Sequence, residues 1–400
     1  MGAWSWRGGA MVVVCALALG AACAPGAARP PQPPNNGGST AAGSATGGGA
    51  GTTAGGVAAA SAAGAGAGTS GAAGAAGAGN AAGASGTASA GAPPAAPEKV
   101  RVAYASISIT SLPAWVAQDA GTFAKNGLDV TLDYVPSGTT LVQNMVAGGT
   151  DFAFAGAEAA LSAALAGAPL VIIAPSVDRL TYTVHAPAEI ADGAALRGRR
   201  LGITRAGSST DFAARQWVET LGMRPDADVA LIQLGGQPEI LAGLQAGAVD
   251  AGLLSPPGNT EARRAGYREI ADLSRLPAQL YQAAIVAPQP LIDQRPEVVQ
   301  RFARAIVEAN AVIHQDKAQT KQIIGRYTQS TDDGVLEDSY TGALAAIPRV
   351  PVPTRATTEV ALELAAHSNP AVAPADVSQY FAPRFVQELD DSGFIRGLYN

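Results

Sequence analysis

The chain predicts an α/β protein of two related lobes with a ligand cleft between them, preceded by a disordered tether, and three observations carry that prediction. From Glu98 onward, apolar runs of strand length alternate with stretches of helical periodicity. The signature Ala147-Gly148-Gly149-Thr150-Asp151 before Phe152–Ala155 returns as Ala246-Gly247-Ala248-Val249-Asp250 before Ala251–Leu254. Between Pro30 and Pro97 there is no Asp, Glu, Lys or Arg, and almost nothing large enough to bury.

Taken in order, Met11 to Leu19 is too short an apolar run to span a bilayer and reads as the core of a secretion signal over residues 1–22. The small residues Gly20-Ala21-Ala22 lead to Cys23, which resembles the lipid-modified cysteine of a bacterial lipoprotein. An ordinary signal cut near Ala22 or Ala27 is the alternative. Residues 23–97 form the expected tether. Their Ala, Gly, Ser, Thr and Pro cannot offset the entropy of ordering, and a coil of that length spans roughly 45 Å. Both cysteines of the chain, Cys15 and Cys23, lie in this leader, so the body has no thiol for a disulfide, a zinc site or a nucleophile.

The body opens with a strand at Val100–Tyr104, then a helix from Pro113 to Lys125 stopped by Asn126-Gly127. Alternation over Leu128–Tyr134 predicts a half-exposed strand. A helix from Leu141, the strand Phe152–Ala155, a helix over Glu158–Leu165 and a strand from Leu170 follow, all as parallel βα units. The first part of lobe 1 is thus expected over 98–184 and lobe 2 over 185–288. Within lobe 2 come a strand at Arg200–Thr204, a helix to Leu221, a helix at Ile240–Gln245 and the strand Ala251–Leu254. Ala283–Val286 reads as the returning strand. Residues 289–400 are a helical return to lobe 1, led by the amphipathic Pro296–Asp316.

In open parallel sheets a ligand lies over helix N-termini at the carboxyl ends of strands. Candidate turns after four strands are therefore Ser106, Ser108, Thr110 and Ser111; Gly156, Ala157 and Glu158; Ser208, Ser209, Thr210 and Asp211; and Ser255. Each taken singly also reads as a helix cap. Glu158 and Asp211 either meet a ligand amine or complement the helix dipole, and Tyr182 either covers a ligand or packs between lobes. No Lys or Arg lies in these turns, so backbone N–H and hydroxyl groups would hold an anion of few charges.

Catalysis is not expected. The three histidines, His185, His314 and His367, are scattered, no HExxH, GxSxG or phosphate-loop motif occurs, and the only lysines are Lys99, Lys125, Lys317 and Lys321. A net charge of -6 with no basic patch argues against nucleic acid. No cofactor and no metal site are expected, and the protein reads as a monomer.

Trp115-Val116-Ala117-Gln118-Asp119-Ala120-Gly121-Thr122-Phe123, continued by Asn126-Gly127-Leu128-Asp129-Val130, resembles the opening of the sulfonate/nitrate/taurine/thiamine-precursor binding proteins of ABC importers. Asp151–Glu158, Leu196–Gly202 and Leu244–Ala251 match later landmarks of that family. The resemblance implies a type II periplasmic-binding-protein fold, and a solute handed to a permease with its ATPase. The expected role is capture of a small organic anion or zwitterion, sulfonate-, nitrate- or pyrimidine-like, by a protein anchored outside the cytoplasm through Cys23. A ligand sensor is the alternative, with an exported enzyme or a thiamine-pyrimidine synthase relative behind it. The latter uses a cysteine-rich iron motif that this body lacks.

Overall fold

Strand β1 (Glu98–Tyr104) runs parallel to β2 (Leu128–Tyr134), with Val102 opposite Leu132. These strands belong to a computed structural model that describes residues 96–276, 281–368 and 376–400; the leader, Cys23 and the tether to residue 95 lie outside them. The single helix expected over Pro113–Lys125 is two, α1 (Leu112–Asp119) and α2 (Thr122–Lys125). Gly121 between them sits at φ 76, a left-handed conformation that ends the first helix.

The chain continues through α3 (Gly138–Val146), β3 (Phe152–Ala155), α4 (Ala157–Leu165) and β4 (Leu170–Val177). It then crosses into β5 (Thr183–Ala186), β6 (Arg200–Ile203), α5 (Ser209–Thr220), β7 (Ala230–Gln233) and α6 (Gln237–Gln245). The second lobe is completed by β8 (Ala251–Leu254), α7 (Gly258–Arg264) and β9 (Arg268–Asp272). The return strand is β10 (Ala283–Pro288). After it come α8 (Gln289–Gln294), α9 (Pro296–Gln315), α10 (Lys317–Thr328), α11 (Asp333–Ala346), α12 (Arg355–Ser368), α13 (Arg384–Asp391) and α14 (Phe394–Leu398).

Two five-stranded sheets result, ordered β2-β1-β3-β10-β4 and β7-β6-β8-β5-β9. The expectation of parallel units holds for β1, β2 and β3 and for β6, β7 and β8. It fails in the fourth place of each sheet. There β10 runs antiparallel to β3 and β4, and β5 antiparallel to β8 and β9, because each is the strand that has just crossed from the other lobe. Residues 283–288, counted above with lobe 2, therefore sit in the first sheet, and Thr183 and Val184 already sit in the second.

Aromatic stacking fixes the helical return. Phe302 of α9 lies 3.8 Å from Phe152 with the rings 3° apart, and 5.4 Å from Phe123. Full burial of one such ring stabilises by about 1.5–3 kcal/mol. A second apolar cluster runs from Ala153, Leu161 and Ile172 of the first lobe to Val184, Leu201 and Leu253 of the second, so the core is continuous through the crossing. The lobes also meet where the Ile109 N–H donates to Pro256 O at 3.0 Å, and where Arg263 of α7 pairs with Asp338 of α11 at 3.2 Å.

Candidate functional site

Helices α3, α4, α5 and α6 all begin at one small cavity lined by both lobes, whose volume is about 30 Å³. The chain folds this way because each helix follows a strand of a parallel unit, which delivers every helix start to the same end of its sheet. The first lobe supplies Ser106, Thr110, Ser137, Gly138 and Gly156; the second supplies Thr204, Ser209, Thr210 and Gln237. Tyr182 and Gln282 enter from the two crossing segments.

At the start of α3, Ser137 has φ 73 and ψ 133, a conformation that side chains rarely adopt. Its side chain makes no cap bond, and Oγ is buried without a hydrogen-bond partner. The backbone is pinned by Ser137 N–H to Ala105 O at 3.1 Å and Leu141 N–H to Ser137 O at 3.0 Å. The starts of α3 and α4 approach closely here, since a methyl group on Gly138 would stand 3.2 Å from Gly156 N.

The start of α5 separates two adjacent serines. Ser208 is the cap: its hydroxyl donates to Arg205 O at 2.7 Å and lies 2.7 Å from Thr204 Oγ1 and 2.9 Å from Thr210 Oγ1. Ser209, one residue on, faces the cavity with its Oγ 2.8 Å from the Tyr182 hydroxyl. Asp211 accepts from Gly207 N–H at 2.8 Å and from Arg215 Nε at 2.9 Å, so its carboxylate is already engaged. Burial nevertheless raises its pKa against both partners.

The turn after β1 is likewise divided. Ser108 bonds Ser106 Oγ at 3.0 Å and Thr110 Oγ1 at 2.7 Å, and Ser111 Oγ donates to Ser106 O at 2.7 Å. Ser106 and Thr110 line the cavity, whereas Ser108 and Ser111 serve the turn itself. Ser255 and Ala157 also stand off the lining. The Ser255 N–H donates to Gln237 Oε1 at 3.1 Å, and its buried Oγ has no partner.

Glu158 lies just behind the wall. It is 7% exposed, its Oε1 has no partner, and burial, with Asp211 adding to it, pushes its pKa up to about 8 against its own backbone N–H. Tyr182 is raised by burial as well. Among the described residues, no Lys or Arg lines the cavity.

Of the residues expected from the sequence, Ser106, Thr110, Gly156, Tyr182, Ser209 and Thr210 are therefore brought together at the cavity, and Ser108, Ser111, Ala157, Glu158, Ser208, Asp211 and Ser255 stand around it. Sequence reasoning passed over Ser137, Thr204, Gln237 and Gln282. Gln282 Oε1 accepts from Thr181 N–H while its buried Nε2 has no partner. A signal existed for two of the four: Ser137-Gly138 and Gly236-Gln237 open the helices after the edge strands β2 and β7, the same place in each lobe. A larger cavity of about 430 Å³ lies on the outer side of the first lobe, against Ala164, Leu170, Gln289 and Tyr380.

The NMT1-like family matches this chain over residues 94–326. A protein of Brucella abortus (strain 2308) named as a binding protein is 29% identical over 213 residues, which are 52% of this chain. The chain spans 65% of the length of that relative. The periplasmic nitrate-binding protein NrtA from Synechocystis PCC 6803 superposes with a TM-score of 0.64 at 16% identity, covering 74% of this chain and 89% of that one. The periplasmic aliphatic sulphonate binding protein SsuA from Escherichia coli gives 0.58 at 18% identity, over 72% and 93% of the two chains. At these identities the likeness establishes the two-lobed periplasmic-binding-protein fold.

Proposed function

The chain belongs to the NMT1-like family, and from that premise we propose that it captures a small organic anion or zwitterion between its lobes, outside the cytoplasm, and delivers it to an ABC permease with its ATPase. One observation carries the reading. Four helix starts from two lobes converge on a cavity where Ser137 Oγ and Gln282 Nε2 are buried with no partner. Helix N-termini favour negative charge, and an unpaired buried donor costs ~1–3 kcal/mol that a ligand acceptor would recover. With no Lys or Arg on the wall among the described residues, a head group of one charge, sulfonate-, carboxylate- or nitrate-like, suits these donors better than a phosphate ester.

A cavity of about 30 Å³ is the size of a water or two, while small-molecule sites run to roughly 300–1,000 Å³. The lobes must therefore part to admit a solute and close around it. Release to a permease is the reverse motion, which calls for an affinity near 1 μM, about -8 kcal/mol. Cys23, acylated at the start of the tether, would hold the protein at the membrane; a single chain binds only marginally, so more than one is needed.

A thermal-shift screen of the full chain against sulfonates, nitrate, amino-pyrimidines and aromatic carboxylates tests the proposal. The cargo, at 100 times its Kd, should add ~2.7 kcal/mol of stability. Stabilisation by neutral sugars or metal ions alone would overturn it.

A further inference from the structure

Glu158 is a buried acid that a scaffold cap does not need. It sits in the first turn of α4, where the helix start favours a carboxylate, yet Oε1 is buried without a donor. A methyl group on Gly156 would overlap that carboxylate and stand 3.3 Å from Ser209 Cβ of the opposite lobe. The acid is thus wedged where α5 closes on α4, two residues beyond Gly156 of the cavity wall. The charged groups facing it are Asp211 on α5, itself paired with Arg215, and the Tyr182 phenol. Helix α3 and strands β4 and β10, which also pack on α4, bring no titratable side chain. Helix α12, which also packs on α4, carries Arg355, Glu359 and Glu363, with Arg355 and Glu359 paired at 2.8 Å.

We infer that Glu158 sets the charge the cleft accepts: closing the lobes drives a proton onto its carboxyl, so that a monoanionic head group is captured together with one proton. The inference rests on the reading that cargo enters between the lobes. In the open protein, water reaches the carboxyl and it ionises. Closure strips that water and brings up Asp211, and burial beside that second negative charge outweighs the bonds the carboxylate takes from its own backbone N–H and the Ser209 hydroxyl. The direction found in the closed structure, up to about 8, agrees with this geometry. Protonation balances simply: one H⁺ passes from solvent to a Glu158 oxygen on closure and returns on opening.

The test uses the full chain and its Glu158→Gln variant, with nitrate and methanesulfonate as probes. Calorimetry at pH 7 in two buffers of different ionisation enthalpy should show about one proton taken up per anion by the wild type and none by the variant. Wild-type affinity should fall roughly tenfold per pH unit through this window, with the variant flat. Proton release, a flat wild type, or a variant that keeps the slope would overturn the inference. A second readout separates the two readings. Without anion the lobes are open and Glu158 is ionised, so wild-type and Glu158→Gln urea midpoints should run parallel between pH 5 and 8. With saturating anion the wild type carries a raised carboxyl whose stabilising contribution is lost as pH rises toward about 8, and the variant does not. Stabilisation by anion with the same pH dependence in both proteins overturns the inference and leaves the cargo reading standing; no stabilisation of either protein overturns the cargo reading.

Discussion

The Tyr182 hydroxyl lies 2.8 Å from Ser209 Oγ, joining the crossing segment between the lobes to the start of α5 at the cavity wall. Tyr182 is 4% exposed, so this bond closes the cleft in a dry setting, where an unmade bond is costly. The neighbouring Ser208 is bound into the hydroxyl cluster with Thr204 and Thr210 instead.

Two adjacent serines should therefore respond differently. Ser209→Ala is predicted to weaken cargo binding roughly 10- to 150-fold, the ~1.5–3 kcal/mol of a hydrogen bond to a charged group, and to cost ~1–3 kcal/mol of folding stability because the buried Tyr182 hydroxyl loses its partner. Ser208→Ala should instead cost about 0.5–2 kcal/mol of folding stability as a lost cap, with a smaller change in affinity. Calorimetric titration beside urea unfolding of both variants checks the pair. Equal affinity losses in the two variants would place both hydroxyls on the ligand.

Ser137 combines a free hydroxyl with backbone strain at φ 73. Strain of this kind costs ~1–3 kcal/mol, and glycine would relieve it at an entropic cost of roughly 0.5–1 kcal/mol. Ser137→Gly should thus stabilise the ligand-free protein by about 1 kcal/mol while weakening cargo capture. A variant that is less stable and binds as well as the wild type would show that the hydroxyl serves the fold alone.

His185 of β5 gives the opposite pH response to Glu158. Burial, with Arg263 adding to it, lowers its pKa from 6.5 to about 4, and Nδ1 has no partner. The unfolded chain then binds the extra proton first, so the stabilising contribution is present above pH 6.5 and lost as pH falls toward 4. Urea unfolding at pH 7 and pH 5 should show a loss on the order of 2 kcal/mol that His185→Gln does not share.

Much of this fold was legible because its strongest signals are local. Phe152–Ala155 and Ala251–Leu254 are apolar runs bounded by Asp and small residues, and both strands have these bounds. The echo between them extends to a pair of clamps. Arg101 grips Asp151 through its Nε at 3.2 Å, its Nη2 at 2.8 Å and its own backbone N–H at 2.8 Å, while Arg200 grips Asp250 fifty residues on in the same manner. Their other guanidinium bonds reach Gly148 O and Gly247 O, the glycines of the two recurring segments.

The site was less legible, for physical reasons. Ser208 and Ser209 differ only in helix phase, which composition does not reveal. Ser137 is exposed to the cavity by a backbone angle that nothing in Pro136-Ser137-Gly138 announces. Gln282 reaches the site because β10 returns beside β3, a long-range event with no local marker.

The most direct measurement is a crystal structure of the full chain grown with the most stabilising compound of the thermal screen. The predicted result is that compound between parted and reclosed lobes, its acceptor atoms within hydrogen-bond distance of Ser137 Oγ, Gln282 Nε2 and Ser209 Oγ. The contradicting result is the compound seated in the outer cavity against Ala164, Leu170, Gln289 and Tyr380, with the space between the lobes still about 30 Å³.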